Sequence, residues 1–244
     1  MMKLYSGDLS PYSARVRMQI YAKGLEDRVA LERPATFGSP QFREQNPIGR
    51  IPVLDIDGDL MPESEVIAEY LEEVFPTPPM LAATPRETAH IRTLARIGDI
   101  YLMNNLFMLA GQVYAPEKDK GVVELLSGQV LRNLKALDRM IGPKAGEDGF
   151  ACCGRLTMAD CALVPALFLV ENTLTAATGE PSPIPKLPNV AAWWAAIQRN
   201  EHAARTLVEL NRGLEERKEL IRTGAFARMM AAMRAAQAKA DAEA

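Results

Sequence analysis

The proline-rich stretch "PTPPMLAATPRE", residues 76–87, separates two differently patterned parts, and that change of pattern limits the fold more than any other feature of the chain. Before it, apolar residues recur with strand and helix spacings in alternation; after it, every readable segment has helical spacing. "KLYS" reads as a strand. Val16, Met18, Ile20, Tyr21 and Leu25 follow Pro11 with helical spacing, and "RVALE" is a second strand. "IPVLDIDGDLM" predicts a hairpin, because Asp57-Gly58 suits a tight turn with positive φ. Val66, Ile67, Tyr70, Leu71 and Val74 mark one stripe of a helix that stops before Pro76. The first part should therefore run strand, helix, strand, short helix, hairpin, helix.

Residues 87–114, 122–141, 158–175 and 190–199 predict helices in the second part, followed by an alanine- and charge-rich helical tail from about His202. The expected domains are residues 1–80, α/β, and residues 86–244, all-helical. A chain of 244 residues with 48% hydrophobic content can fill two cores. A net charge of -3 lacks the dense basic face of a nucleic-acid binder, so no nucleic-acid partner is expected. Cys152, Cys153 and Cys161 fit neither a metal-ligand spacing nor a disulfide framework, so no metal is expected and a reducing compartment is. With no secretory pattern at the N-terminus and no run approaching about 18 apolar residues, the expected location is the cytoplasm, without a membrane partner.

Three short segments carry candidate chemistry. In "LSPYSARVRMQIYAKGL", Pro11 suits the first helical position, which puts Ser10 at the N-cap beside unpaired helix amides. A serine in that place is commonly only a cap. In "NPIGRIPVL", Ile51-Pro52 stands immediately before a strand, where a cis peptide can expose the backbone groups of Ile51 at a sheet edge to an extended peptide; an ordinary proline at a strand start reads the same. In "PESEVIAEYLEE", Glu63 and Ser64 open a helix with Glu65 close by. The helix end and Ser64 could take an amino-acid carboxylate and Glu63 its ammonium, and simple capping would explain the segment as well.

In this order and spacing, the three segments resemble the glutathione S-transferase superfamily over nearly the full length of the chain. "NPIGRIPVL" is similar to the family's proline loop, "ESEVIAEYLEE" to its glutathione head-group motif, and "LTMADCAL" to the capping-box helix of its second domain, here with Thr157 and Asp160 at capping-box spacing. The resemblance implies a thioredoxin-like N-terminal domain, βαβαββα, followed by an all-helical domain. It implies glutathione as co-substrate, held by Arg50, Ile51, Pro52, Glu63 and Ser64, and a homodimer as the usual assembly.

"SPYSARVRMQIYAKGL" resembles the first-helix segment of the serine-type classes, tau and zeta, in which the serine five positions before the first arginine of "RVR" contacts the glutathione sulfur; here that is Ser10. Omega-like relatives carry cysteine in a Cys-Pro-Tyr/Phe sequence, so this chain keeps the Pro-Tyr and replaces the thiol. A thiol with pKa about 8.5 is only a few per cent thiolate at neutral pH. A hydroxyl donor together with helix N-terminal amides lowers that pKa, and Ser10 would act as a donor rather than a base. It cannot form a mixed disulfide, which favours thiolate addition or substitution over disulfide reduction. Tyr5, near the end of the first strand, and Tyr12 and Ser13 compete for the same role.

A small hydrophobic electrophile is the expected second substrate. Candidate residues for it are Tyr12, Tyr101, Asn104, Met108 and Tyr114, with Met103 and Phe107 on the same helical segment. The resemblance thus implies a transferase. Alternatives are a glutathione-dependent isomerase of the zeta type, whose Ser-Ser-Cys pattern is replaced here by Ser10-Pro11-Tyr12, an ether- or halide-cleaving enzyme, or a non-catalytic binding module with the same fold. The tail could cover a cleft, pack on a second subunit, or extend into solvent.

Overall fold

The computed structural model of the protein describes residues 1–35, 37–115 and 117–243. Two compact units divide it, Met1–Leu71 together with Val208–Ala244, and Glu72–Leu207. The first begins with β1 (Met2–Tyr5), α1 (Pro11–Ala22), β2 (Val29–Glu32), α2 (Pro40–Gln45), β3 (Val53–Ile56), β4 (Asp59–Pro62) and α3 (Ser64–Val74), in the order the apolar periodicities predict. The sheet order is β2-β1-β3-β4, with β1 and β2 parallel and the other neighbours antiparallel. This mixed four-stranded sheet has the expected thioredoxin-like arrangement. The β3–β4 turn has positive φ at Asp57 and Gly58, 53° and 97°, as the Asp-Gly pair predicts. The amide of Gly58 also donates to Asp55 Oδ1 at 2.7 Å.

Registry places three chain points on one line across the sheet. Tyr5, the last residue of β1, stands opposite Val53, the first of β3, and Val53 stands opposite Pro62, the last of β4. The loop after Tyr5, the proline before Val53 and the residues after Pro62 therefore all emerge at one end of the sheet.

The second unit holds α4 (Pro85–Arg96), a π-helical stretch Ile97–Met103, and α5 (Asn104–Val113), which follow one another without a break. It continues with α6 (Lys120–Ile141), α7 (Lys144–Asp148), α8 (Met158–Leu169), a second π-helical stretch Val170–Leu174, α9 (Thr175–Thr178) and α10 (Pro188–Ile197). Every residue from Thr157 to Val170 is buried. The run Met158–Thr178 is long and apolar enough to cross a membrane by composition, beyond what the sequence reading expected, but its burial marks it as the core helix of this unit. Asp160 anchors its start: Oδ2 accepts from the Thr157 amide and hydroxyl, each at 2.9 Å, and Oδ1 from the Ala151 amide at 2.7 Å and Trp193 Nε1 at 3.1 Å.

The tail forms α11 (Glu201–Arg222) and α12 (Ala225–Glu243), broken at Gly224, where φ is 67°. From Val208 onward it belongs to the unit that contains the sheet. Its presence explains why α1 is buried on nearly every side, including its charged residues Arg15 and Arg17. A charge taken from water needs a partner. Arg15 pairs with Glu65 of α3, and Arg17 pairs with Glu209 of α11 at 2.7 Å.

Candidate functional site

Ser10 caps α1 with extended backbone, φ -77° and ψ 113°, and Pro11 takes the first helical position. Its Oγ accepts the Ser13 amide at 3.2 Å. A hydroxyl has one proton and two lone pairs, so an oxygen that accepts a helix amide still has its proton to donate. Capping and donation are compatible. Ser10 is half-buried, whereas Ser13 is wholly buried.

Tyr5 is committed elsewhere. Its hydroxyl donates to Asp55 Oδ2 at 3.2 Å, and partial burial, then that carboxylate, hold the phenol above its ordinary pKa. A phenol turned toward a carboxylate on β3 is poorly placed to donate to a sulfur. Tyr12 is half-buried in the first turn of α1.

The second segment meets Ser10 at the same end of the sheet. The Ile51–Pro52 peptide is cis; Ile51 is half-exposed, Pro52 buried and Arg50 exposed. Asn46, to which the sequence reading gave no role, is buried, and its Nδ2 donates to the Arg50 carbonyl at 2.8 Å. Gly49, with φ 67°, sends its amide back to the Asn46 carbonyl at 2.8 Å, so that this one side chain and its own carbonyl shape the turn into Pro52. An asparagine just before a proline in a loop was the available signal.

The third segment completes the set. Glu63 has φ 71°, a left-handed conformation unusual for a residue with a side chain, and turns the chain from β4 into α3. Its carbonyl accepts the Ile67 amide at 2.9 Å, its side chain is exposed, and Ser64 beside it is buried. Arg15 to Glu65 and Gln19 Nε2 to the Ala68 carbonyl, 2.8 Å, tie α1 to α3 with both chains advancing together. The two helices thus run parallel, and both N-termini point to the sheet end that carries Pro52. Two helix dipoles and their unpaired amides make that end suited to an anion.

The remaining candidates lie in the helical unit. Tyr101, Asn104 and Met108 are exposed at three- and four-residue spacing, with Phe107 beside them, and form one solvent-facing stripe of the α4–α5 rod. Tyr101 is in its π-helical stretch, and its carbonyl accepts from Asn105 Nδ2 at 2.7 Å and Asn133 Nδ2 at 3.2 Å. Tyr114 is exposed just past the end of α5; Met103 is fully buried and belongs to the core. Burial first, then the neighbouring Asp160, pushes the Cys152 thiol up to about 12, so it stays protonated and unreactive.

Known proteins share this organisation. Residues 4–79 match the family model of the glutathione S-transferase N-terminal domain, and residues 120–196 that of the C-terminal domain. A maleylacetoacetate isomerase of Pseudomonas aeruginosa is 33% identical over 178 residues, 70% of this chain and 82% of that protein. A glutathione S-transferase of Pseudomonas putida is 27% identical over 240 residues, 92% of this chain and 99% of that one. Among solved structures, a glutathione S-transferase of Methylobacterium radiotolerans in complex with glutathione sulfonate superposes with TM-score 0.72 at 20% identity, covering 84% of this chain and 94% of that one.

Proposed function

The chain belongs to the glutathione S-transferase superfamily, and from that premise we propose that it is a glutathione transferase in which Ser10 activates the thiol of glutathione for attack on a small hydrophobic electrophile. The observation that carries this reading is the convergence of Ser10, cis-Pro52 and Ser64 at one end of the sheet, with the Ser10 proton left to donate. In this reading the Ile51 backbone pairs with the extended tripeptide as an added strand. Ser64 and the α3 N-terminus take one carboxylate, Glu63 faces the ammonium, and Arg50 supplies a charge-assisted bond to a second carboxylate.

The sulfur then lies at the α1 N-terminus. Its proton passes to solvent, and the thiolate accepts the Ser10 hydroxyl proton as a hydrogen bond while helix amides favour the negative charge. In substitution, the new C–S bond forms as the bond to the leaving group breaks. Candidates for contact with the electrophile are Tyr12 in the sheet-containing unit and, in the helical unit, the exposed Tyr101, Asn104, Met108 and Tyr114. A cytoplasmic homodimer is the working form this reading assumes.

A second reading, glutathione-dependent isomerisation, is favoured by the relatives named maleylacetoacetate isomerase. The same thiolate would add to a conjugated double bond, allow rotation about the resulting single bond, and leave again with no net change in atoms.

The test is the thiolate absorbance of bound glutathione against pH in the wild type and in Ser10→Ala. A titration near neutrality that rises by about one unit or more in the variant supports Ser10 as the activating donor, one unit being about 1.4 kcal/mol. Glutathione that binds saturably but titrates like the free thiol would refute it and favour the non-catalytic binding module.

A further inference from the structure

The loop that delivers Ser10 is held by the C-terminal helix. Arg17, buried in α1, spends its whole guanidinium on this connection: Nη1 donates to Ser6 Oγ at 2.8 Å and to the Gly7 carbonyl at 2.9 Å, Nη2 to the Asp8 carbonyl at 3.1 Å, and Nε to Glu209 Oε2 at 2.7 Å. Glu209 is fixed in turn by the Tyr21 hydroxyl, which donates to Oε1 at 2.7 Å. Three consecutive residues before Leu9 and Ser10 thus hang on one side chain, and that side chain on one carboxylate of α11.

A second contact is independent of charge. Gly213 stands one turn beyond Glu209, and a Cβ built there would lie 2.5 Å from the Leu9 amide nitrogen and 3.0 Å from the Cβ atoms of Asp8 and Leu9. Glycine inside a helix costs about 1 kcal/mol relative to alanine. Here its lack of a side chain lets the helix backbone touch the loop. Arg212, between the two, bonds Asp8 Oδ2 from Nε at 2.7 Å.

We propose that the Glu209–Gly213 face of the C-terminal helix is a positioning element for the Ser10 hydroxyl, acting through Arg17 and through direct backbone contact on the Ser6–Leu9 loop. Glu209 and Gly213 touch no reacting atom and act only by fixing where Ser10 sits. The inference rests on Ser10 being the thiolate donor.

The experiment measures the thiolate titration of bound glutathione in full-length wild type, Glu209→Gln, Gly213→Ala, Ser10→Ala and each double variant with Ser10→Ala. Gly213→Ala raises the intrinsic preference for helix while its methyl meets the Leu9 backbone, which must shift to make room. The expected result is a rise of about half a unit or more in each single variant, roughly three-fold less thiolate at neutral pH, and no further rise in the double variants. Glu216→Ala, at an exposed pair with Arg33 further along the same helix, should leave the titration where it was. If Ser10→Ala moves the titration but Glu209→Gln and Gly213→Ala do not, or if their effects persist undiminished without Ser10, the positioning role is overturned while the donor role stands. If Ser10→Ala itself moves nothing, the donor reading has failed first and this inference falls with it.

Discussion

At the level of single residues, competition for the donor role turns on where each hydroxyl proton already goes. Tyr5 gives its proton to Asp55, Ser13 is sealed in the core, and Ser10 accepts a helix amide without using its own proton. Tyr5→Phe should therefore leave the thiolate titration of bound glutathione unchanged and lower stability by about 0.5–1 kcal/mol, read from urea unfolding. A rise in the titration would show that Tyr5 reaches the sulfur after all. Ser10, Pro52 and Ser64 could be found from short motifs because each sits at a chain reversal with strong local preferences. Asn46 was signalled only by its place before a proline, and neither its partner nor that of Glu209 could be read. Their partners are set by loop closure in one case and by a helix some 190 residues away in the other. The one available clue to Glu209 was the pair of arginines in "RVR" on an otherwise apolar helix, which promised acids from elsewhere without saying which.

Among the elements, α8 shows how a capping motif becomes a core feature. The Thr157 and Asp160 spacing predicted a capping box, and the structure adds the Ala151 amide and Trp193 as further donors to the same carboxylate. Burial pushes Asp160 up to about 6 in spite of these bonds, each of which favours the charge. Its folded pKa is thus above the unfolded value, and the native state holds the proton more tightly between about pH 4 and pH 6. The contribution of Asp160 to stability is largest below that window, falls as pH rises through it, and is flat above. Asp160→Asn should be destabilising by about 2–4 kcal/mol at neutral pH, because an amide cannot accept all four bonds. The wild type's pH-dependent decline across the window should be lost in that variant, and urea unfolding at pH 4, 5, 6 and 7 would check both. The hairpin, by contrast, was legible from Asp57-Gly58 alone, since positive φ at both positions is a local requirement.

Over the whole molecule, the tail is where sequence and structure part company most. Its periodicity and its break at Gly224 were readable, but its destination was not. Truncation after Leu207 should cost the sheet-containing unit about 3–5 kcal/mol, since it uncovers α1 and removes the acid partner of Arg17 together, whereas truncation after Gly224 should cost far less. Comparing the urea midpoints of the two shortened chains with that of the full chain tests this, and equal losses would show that α12 rather than α11 carries the contact. The amino-acid sequence by itself determined the element order, the hairpin, the change to an all-helical part and the three segments proposed to meet glutathione. Each of these is written in periodicities and turn preferences that span a few residues. Only the tertiary structure decided that the three segments share one end of the sheet, that Ser10 and not Tyr5 keeps a proton to give, and that α11 holds the loop in front of it. Strand registry, burial and the pairing of distant charges depend on which surfaces meet, and no local pattern encodes that.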